Sequence, residues 1–216
     1  MTNCIEIRGL VKQYKSFTLG PIDLKVPGGS IMGLIGENGA GKTTLIKSML
    51  GIVKPTAGTA VLLGADPDRA KEDIGMVLDD CFFSEYLRVR DVETVLCRVF
   101  KTWEKGLYRD YLDKFGLSGA KNIKELSRGM RMKLSLAAAL AHRPRLLLLD
   151  EATAGLDPVV RDEILDEFLA FVSDEDHAIL ISSHITSDLE KVADYIAYLH
   201  QGKLLLCDEK DRLLES

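Results

Sequence analysis

Gly36-Glu37-Asn38-Gly39-Ala40-Gly41-Lys42-Thr43 decides how this chain is read. Its spacing, G-x-x-x-x-G-K-T, is that of a phosphate-binding loop. The flanks agree. Ile31-Met32-Gly33-Leu34-Ile35 is an apolar run of strand length. Beyond the loop, Leu45, Ile46, Met49 and Leu50 recur at helical spacing, and Gly51 stands where a helix terminates. Gly36, Gly39 and Gly41 are expected at positive φ, which lets the backbone come close to a phosphate. The N–H groups from Gly36 through Glu37, Asn38, Gly39, Ala40 and Gly41 then form an anion-binding nest. The helix that follows adds its first unpaired N–H groups and the positive end of its dipole. Lys42 reaches the β- and γ-phosphates of a nucleotide, the Thr43 hydroxyl suits Mg²⁺, and Thr44 is a candidate for the α-phosphate. The plain alternative is a glycine turn that only joins a strand to a helix.

The 216 residues are enough for one domain with a substantial core. Hydrophobic content of 46% and charged content of 28% are ordinary for a globular protein. The net charge of −5 leaves no basic footprint, so no nucleic-acid partner is expected. Cys4, Cys81, Cys97 and Cys207 lack metal-ligand spacing and read as reduced core thiols. No apolar run reaches the ~18–20 residues that span a bilayer, and Met1–Glu6 lacks the order of a signal peptide. Work at a membrane then requires spanning helices from another chain.

Outward from the loop, Ile5, Ile7, Phe17, Leu19, Ile22, Leu24 and Val26 suggest strands, and Pro27-Gly28-Gly29 a turn. Tyr14 lies in the break between two strands, either as a face for a nucleotide base or as an ordinary strand-edge aromatic. Lys54–Gly58 reads as a turn, Ala60–Leu63 as a strand, and Ile74–Leu78 as a buried strand before Asp79-Asp80. Asp91 is an N-cap candidate for a helical stripe of Val92, Val95, Leu96, Val99, Phe100 and Trp103. Tyr108, Tyr111, Leu112 and Phe115 make a second stripe, closed by Gly116. Ser127 is placed to cap a third helix at about Arg131–Ala141, so 81–144 reads as a helical insertion. Four consecutive leucines, Leu146–Leu149, suit a strand buried on both faces, with Asp150-Glu151 at the carboxyl end where such sheets bind ligands. Asp157-Pro158 opens a helix. Ala178–Ile181 is a further buried strand, ending at Ser182-Ser183-His184, and Tyr195–Leu199 with Lys203–Leu206 form a hairpin.

This set of residues resembles the ATP-binding subunit of an ABC transporter over essentially the whole chain. The resemblance implies an α/β P-loop NTPase core, mainly a parallel sheet flanked by helices. It carries an N-terminal antiparallel β subdomain and an inserted helical subdomain. One domain would span 1–216, with its core at 1–80 and 145–216 and the helices at about 81–144. Leu146–Glu151 matches the Walker B strand, Leu126–Met130 the signature motif, Ala154–Asp157 the D-loop, His184 the switch histidine and Tyr14 the adenine-stacking position. The implied roles follow. Asp150 holds the Mg²⁺ shell beside Thr43, and Glu151 orients and deprotonates the attacking water. Read without the family, the same two acids can cap the next helix. His184 contacts the γ-phosphate. Ser127 and Gly129 offer a helix N-terminus to the nucleotide of a second copy. Asp157 caps its own helix and lies at the subunit interface.

Two positions depart from the family pattern. The signature reads Leu126-Ser127-Arg128-Gly129-Met130, a variant similar to subunits of ABC-2-type exporters. The glutamine expected after the Ile74–Leu78 strand is Asp79, a hard oxygen ligand for Mg²⁺, unless Asp80 is the aligned residue. Cys81, Phe82, Phe83, Tyr86 and Leu87 follow, where the family docks its membrane subunit; packing inside the helical insertion is the alternative for each. The chain runs on only to Ser216, so no C-terminal regulatory domain is expected. The reading is an ATPase using ATP and Mg²⁺, peripheral on the cytoplasmic face of the membrane. It works as a homodimer with an integral permease on a separate chain, in the direction of export. Rival readings are an ABC ATPase serving a soluble assembly complex and a nucleotide-binding regulatory module with little turnover.

Overall fold

A computed structural model of the chain describes residues 2–78 and 81–215. Asp79 and Asp80, the two candidates for the glutamine position, lie outside the described residues. The first layer is antiparallel. Strand β1 (Asn3–Gln13) lies between β2 (Thr18–Pro27) and β4 (Ala57–Leu62). The turn expected at Lys54–Gly58 is shorter than that, because Ala57 already pairs with Val11. Gly58, at φ +79, sits where the β1–β4 register shifts.

The second layer is a six-stranded sheet. Across it run β5 (Ile74–Val77), β6 (Leu146–Asp150), β7 (Ala178–Ser183), β3 (Ser30–Ile35), β8 (Tyr195–His200) and β9 (Lys203–Glu209). All neighbours are parallel except β8 and β9. The four leucines of β6 show why a parallel strand reads as an unbroken apolar run. Leu146 and Leu148 pack into the cluster shared with β1 and β2, while Leu147 and Leu149 pack into the cluster beneath the helices. All four are fully buried. Burying each contributes about 1.5–3 kcal/mol.

Helix α1 (Lys42–Met49) follows β3 and sends Leu45, Ile46 and Met49 into the first cluster. Short α2 (Pro67–Ala70) precedes β5. Between β5 and β6 lie α3 (Asp91–Leu96), α4 (Lys105–Lys114) and α5 (Arg128–Leu140). Then come α6 (Pro158–Phe171), α7 (Thr186–Val192) and α8 (Lys210–Leu214). Among the described residues no helix is long and apolar enough to cross a membrane.

Several local expectations need correction. The stripe from Val92 to Trp103 does not make one helix, since α3 ends at Leu96. Asp91 is its first helical residue rather than its cap, and its carboxylate accepts the Arg88 N–H at 2.9 Å. Only Val92 of that stripe is buried, while Val95 and Val99 are exposed. Helix α5 begins at Arg128, three residues before the expected start. Of the four cysteines only Cys4 is a core thiol; Cys81 and Cys97 are half-buried and Cys207 is exposed.

Candidate functional site

Parallel pairing builds the site. Ile35 at the end of β3 lies opposite Ser183 of β7, and Ser182 lies opposite Asp150 of β6. The carboxyl ends of three strands therefore meet along one edge. This register brings together residues that are more than a hundred positions apart.

The loop after β3 forms a cleft of about 240 Å³. It is lined by residues 37–44, Ala40 excepted, with Phe17 and Glu151 as walls. Gly39 (φ +82) and Gly41 (φ +110) adopt the left-handed conformation the motif demands. Gly36 does not, contrary to the sequence expectation. It is glycine because a Cβ there would stand 2.4 Å from the carbonyl oxygen of Leu199 on β8. Ala40 braces the loop from within: its N–H donates to the Glu37 carbonyl at 3.0 Å, and its own carbonyl accepts the Gly202 N–H at 2.9 Å. At Gly41, the N-cap of α1, no side chain caps the helix. Its first-turn N–H groups, which no helix can satisfy internally, are thus left to a ligand.

Lys42 is almost wholly buried. Its ammonium donates to the Gly36 carbonyl at 2.6 Å and to that of Glu37 at 3.4 Å. It also lies 3.1 Å from Glu151 Oε1. The other Glu151 oxygen, Oε2, is 2.6 Å from His184 Nδ1. Glu151 sits at φ +55, a conformation that non-glycine residues seldom adopt. Thr43 is exposed to the cleft, and its hydroxyl donates to Asp150 Oδ2 at 2.6 Å. Asp150 and Glu151 do not cap the next helix. That cap is Asp157, whose Oδ1 accepts the Val160 N–H at 3.1 Å. The two acids are left for the cleft.

Other expected site residues lie apart from it. Tyr14 is exposed, with the Lys12 ammonium 5.3 Å from its ring centroid, and it does not line the cleft. Ser127 is exposed at the start of α5, where its Oγ accepts the Met130 N–H at 3.2 Å. Gly129 packs on α6, since a Cβ there would stand 3.2 Å from Val160 Cγ1. Arg128 lays its guanidinium across Gly155, 2.8 Å from where a Cβ would stand. Neither Ser127, Gly129 nor Asp157 lines the cleft after β3.

Two residues of the site escaped sequence reading. Phe17 walls the cleft and closes on Gly41, its Cζ 3.0 Å from the place of a Cβ. Ser182, wholly buried on β7, donates to Asp150 Oδ1 at 2.5 Å. No local pattern marks Ser182; only pairing with β6 does.

A second concavity, an apolar groove of about 420 Å³, opens between the sheet edge and the inserted helices. Ile52, Met76, Phe82, Phe83, Leu96, Val99, Phe100 and His142 line it. Phe82 and Tyr86 are largely exposed, whereas Phe83 and Leu87 pack on the core. His142 is buried and stacks on Phe100, ring centroids 4.0 Å apart. Burial holds its pKa below the ordinary value, against the opposing pull of the Glu72 carbonyl 3.0 Å from Nδ1.

Comparison with known proteins matches residues 19–154 to the family described as "ABC transporter". The chain is 34% identical over 211 residues to the lantibiotic transport ATP-binding protein SrtF of Streptococcus pyogenes, covering 96% of this chain and 91% of that one. It is 38% identical over 216 residues to the bacitracin transport ATP-binding protein BcrA of Enterococcus faecalis, covering 95% of this chain and 69% of that one. Its fold is similar to a solved ATP-binding subunit of an ABC transporter, with TM-score 0.88 and 24% identity over 98% of this chain and 92% of the other.

Proposed function

The chain belongs to the ABC transporter family as an ATP-binding domain, and on that premise we propose that two copies close head to tail around two ATP molecules to drive a permease. Family membership alone makes it an ATP-binding, transport-coupled ATPase of a kind that pairs with membrane permeases. The proposal adds residues, metal, partner and direction.

Lys42 and the first turn of α1 grip the β- and γ-phosphates of ATP. Thr43 Oγ1 and Asp150 Oδ2, hard oxygens 2.6 Å apart at the cleft, fit a Mg²⁺ ion. When bound, that ion neutralises charge on the phosphate oxygens. Glu151 accepts a proton from the attacking water. The water oxygen bonds to the γ-phosphorus as the bond to the bridging oxygen breaks, and ADP departs. His184, hydrogen-bonded to Glu151, orients it and reaches the γ-phosphate. Tyr14 stacks on the base. Ser127, Gly129 and Asp157 act on the nucleotide of the second copy, and their separation from the cleft of their own chain supports that reading. Asp79, outside the described residues, keeps its proposed place in the metal shell.

The permease docks at the cytoplasmic face, and the apolar groove with exposed Phe82 and Tyr86 supports a helix of that partner as its occupant. The relatives named for lantibiotic and bacitracin transport support a peptide antibiotic as cargo. The signature residues Arg128 and Met130 support export. The inserted helices, 81–144, act as a docking subdomain on a core of 1–80 and 145–216.

One observation carries the site: Lys42 and Thr43 of the phosphate loop touch Glu151 and Asp150 of the Walker B strand. Lys42→Ala should abolish tight ATP binding, measured by calorimetric titration. Parental affinity in that variant would refute the phosphate-loop assignment.

A further inference from the structure

We infer that Ser182 is a positioning residue whose buried hydroxyl orients the Asp150 carboxylate and braces the backbone at Glu151. The inference rests on the roles proposed above for Asp150 and Glu151.

Ser182 has no solvent exposure, and its register partner across the parallel ladder is Asp150. Its hydroxyl donates to Asp150 Oδ1 at 2.5 Å. The Glu151 N–H lies 3.1 Å from both the Oγ and the carbonyl oxygen of Ser182. A serine hydroxyl has one proton and two lone pairs. The Glu151 N–H can only donate, so Oγ accepts it, and the hydroxyl proton goes to Asp150 Oδ1.

Two consequences follow. The terminal torsion of an aspartate is broad and roughly two-fold, so the backbone alone does not fix its plane. Here Ser182 holds Oδ1 while Thr43 meets Oδ2, and rotation of the carboxylate would break both contacts. Ser182 thus presents Oδ2 to the metal side of the cleft. Glu151, meanwhile, sits at φ +55, a strained conformation that persists only where its surroundings hold it. The shared N–H contact with Ser182 is one such hold. The adjacent serine does something different: the Ser183 Oγ accepts the Ile185 N–H at 3.0 Å and so organises the turn that carries His184. Of the pair, only Ser182 faces the acids.

The test compares Ser182→Ala and Ser182→Thr in the full chain, with ATP and Mg²⁺ as probes. ATP binding is titrated without metal and again across a Mg²⁺ series, alongside steady-state turnover. In Ser182→Ala, metal-free ATP binding should stay at the parental level. The Mg²⁺ concentration at half effect should rise about 10–100-fold, the usual cost of losing a partner behind a metal ligand. Ser182→Thr, which retains a hydroxyl, should recover most of that loss. A purely structural serine would lower stability and metal-free binding together and leave the Mg²⁺ midpoint alone. A parental Mg²⁺ midpoint in folded Ser182→Ala overturns the inference. If Ser182→Ala does not fold, Ser182→Thr and Ser182→Val, matched in shape and differing in the hydroxyl, carry the comparison. Equal Mg²⁺ midpoints in those two would overturn it as well. Failure of the parent chain itself to bind ATP would instead remove the phosphate-cleft reading beneath it.

Discussion

Replacing Glu151 by glutamine should separate binding from turnover, and the structure gives the sign of each. Glutamine keeps the length and shape of the side chain but cannot take a proton from water. Loss of a general base costs about 10²–10⁴-fold in rate, or roughly 3–5.5 kcal/mol of barrier. Binding should move the other way. The Lys42 ammonium lies 3.1 Å from Glu151 Oε1. That contact must be given up when the ammonium turns to phosphate. The contact is an ion pair without hydrogen-bond geometry, Glu151 Oε1 having no hydrogen-bond partner, and a neutral amide removes that attraction, so ATP affinity should rise about tenfold for each ~1.4 kcal/mol of attraction lost. Lys42 is also held by the Gly36 and Glu37 carbonyls, which the substitution leaves in place. The assay is ATP titration by calorimetry beside phosphate release at saturating ATP. Turnover near the parental rate removes Glu151 from the mechanism. Weaker ATP binding in Glu151→Gln would refute the idea that the Glu151 carboxylate competes with phosphate for Lys42.

Specific activity should rise with protein concentration if each site needs Ser127 and Gly129 of a second copy, and a rate independent of concentration would favour a site complete in one chain. Gly36→Ala should destabilise the chain by at least 1–3 kcal/mol in chemical denaturation, because its Cβ would stand 2.4 Å from the Leu199 carbonyl oxygen; an unchanged midpoint would mean that the loop does not sit against β8. His142, neutral in the fold because burial lowers its pKa, binds protons less readily there than in the unfolded chain. Its contribution to stability is therefore full above its ordinary pKa of about 6.5 and declines as pH falls below that value. His142→Gln should lessen the acid sensitivity of the denaturation midpoint, and an identical pH profile for parent and variant would show that His142 is not its source.

The sequence was most legible where chemistry leaves little choice. The phosphate loop needs glycine, lysine and threonine at fixed spacing, so it was readable without a fold. The run Leu146–Leu149 needs two apolar faces, and it is covered on both. Local periodicity did less well in the inserted helices. Val95 and Val99 follow a helical stripe, yet both are exposed beside an apolar groove. Periodicity records which face is apolar, whereas what covers that face belongs to another element or another molecule. Gly36 taught a similar lesson. Its glycine was expected from φ and is required by the backbone of β8.

By itself, then, the sequence determined the family, the sheet-and-helix order, and the glycine, lysine and threonine of the loop after β3, because those are written in short stretches with their own physical demands. Only the tertiary structure decided which residues touch. It set Ser182 against Asp150, Phe17 against Gly41, and Arg128 across Gly155. Such contacts depend on strand register and loop approach between segments distant in the chain, and no local pattern encodes them. A parallel sheet aligns the ends of its strands, and with them Thr43, Asp150, Glu151 and Ser182.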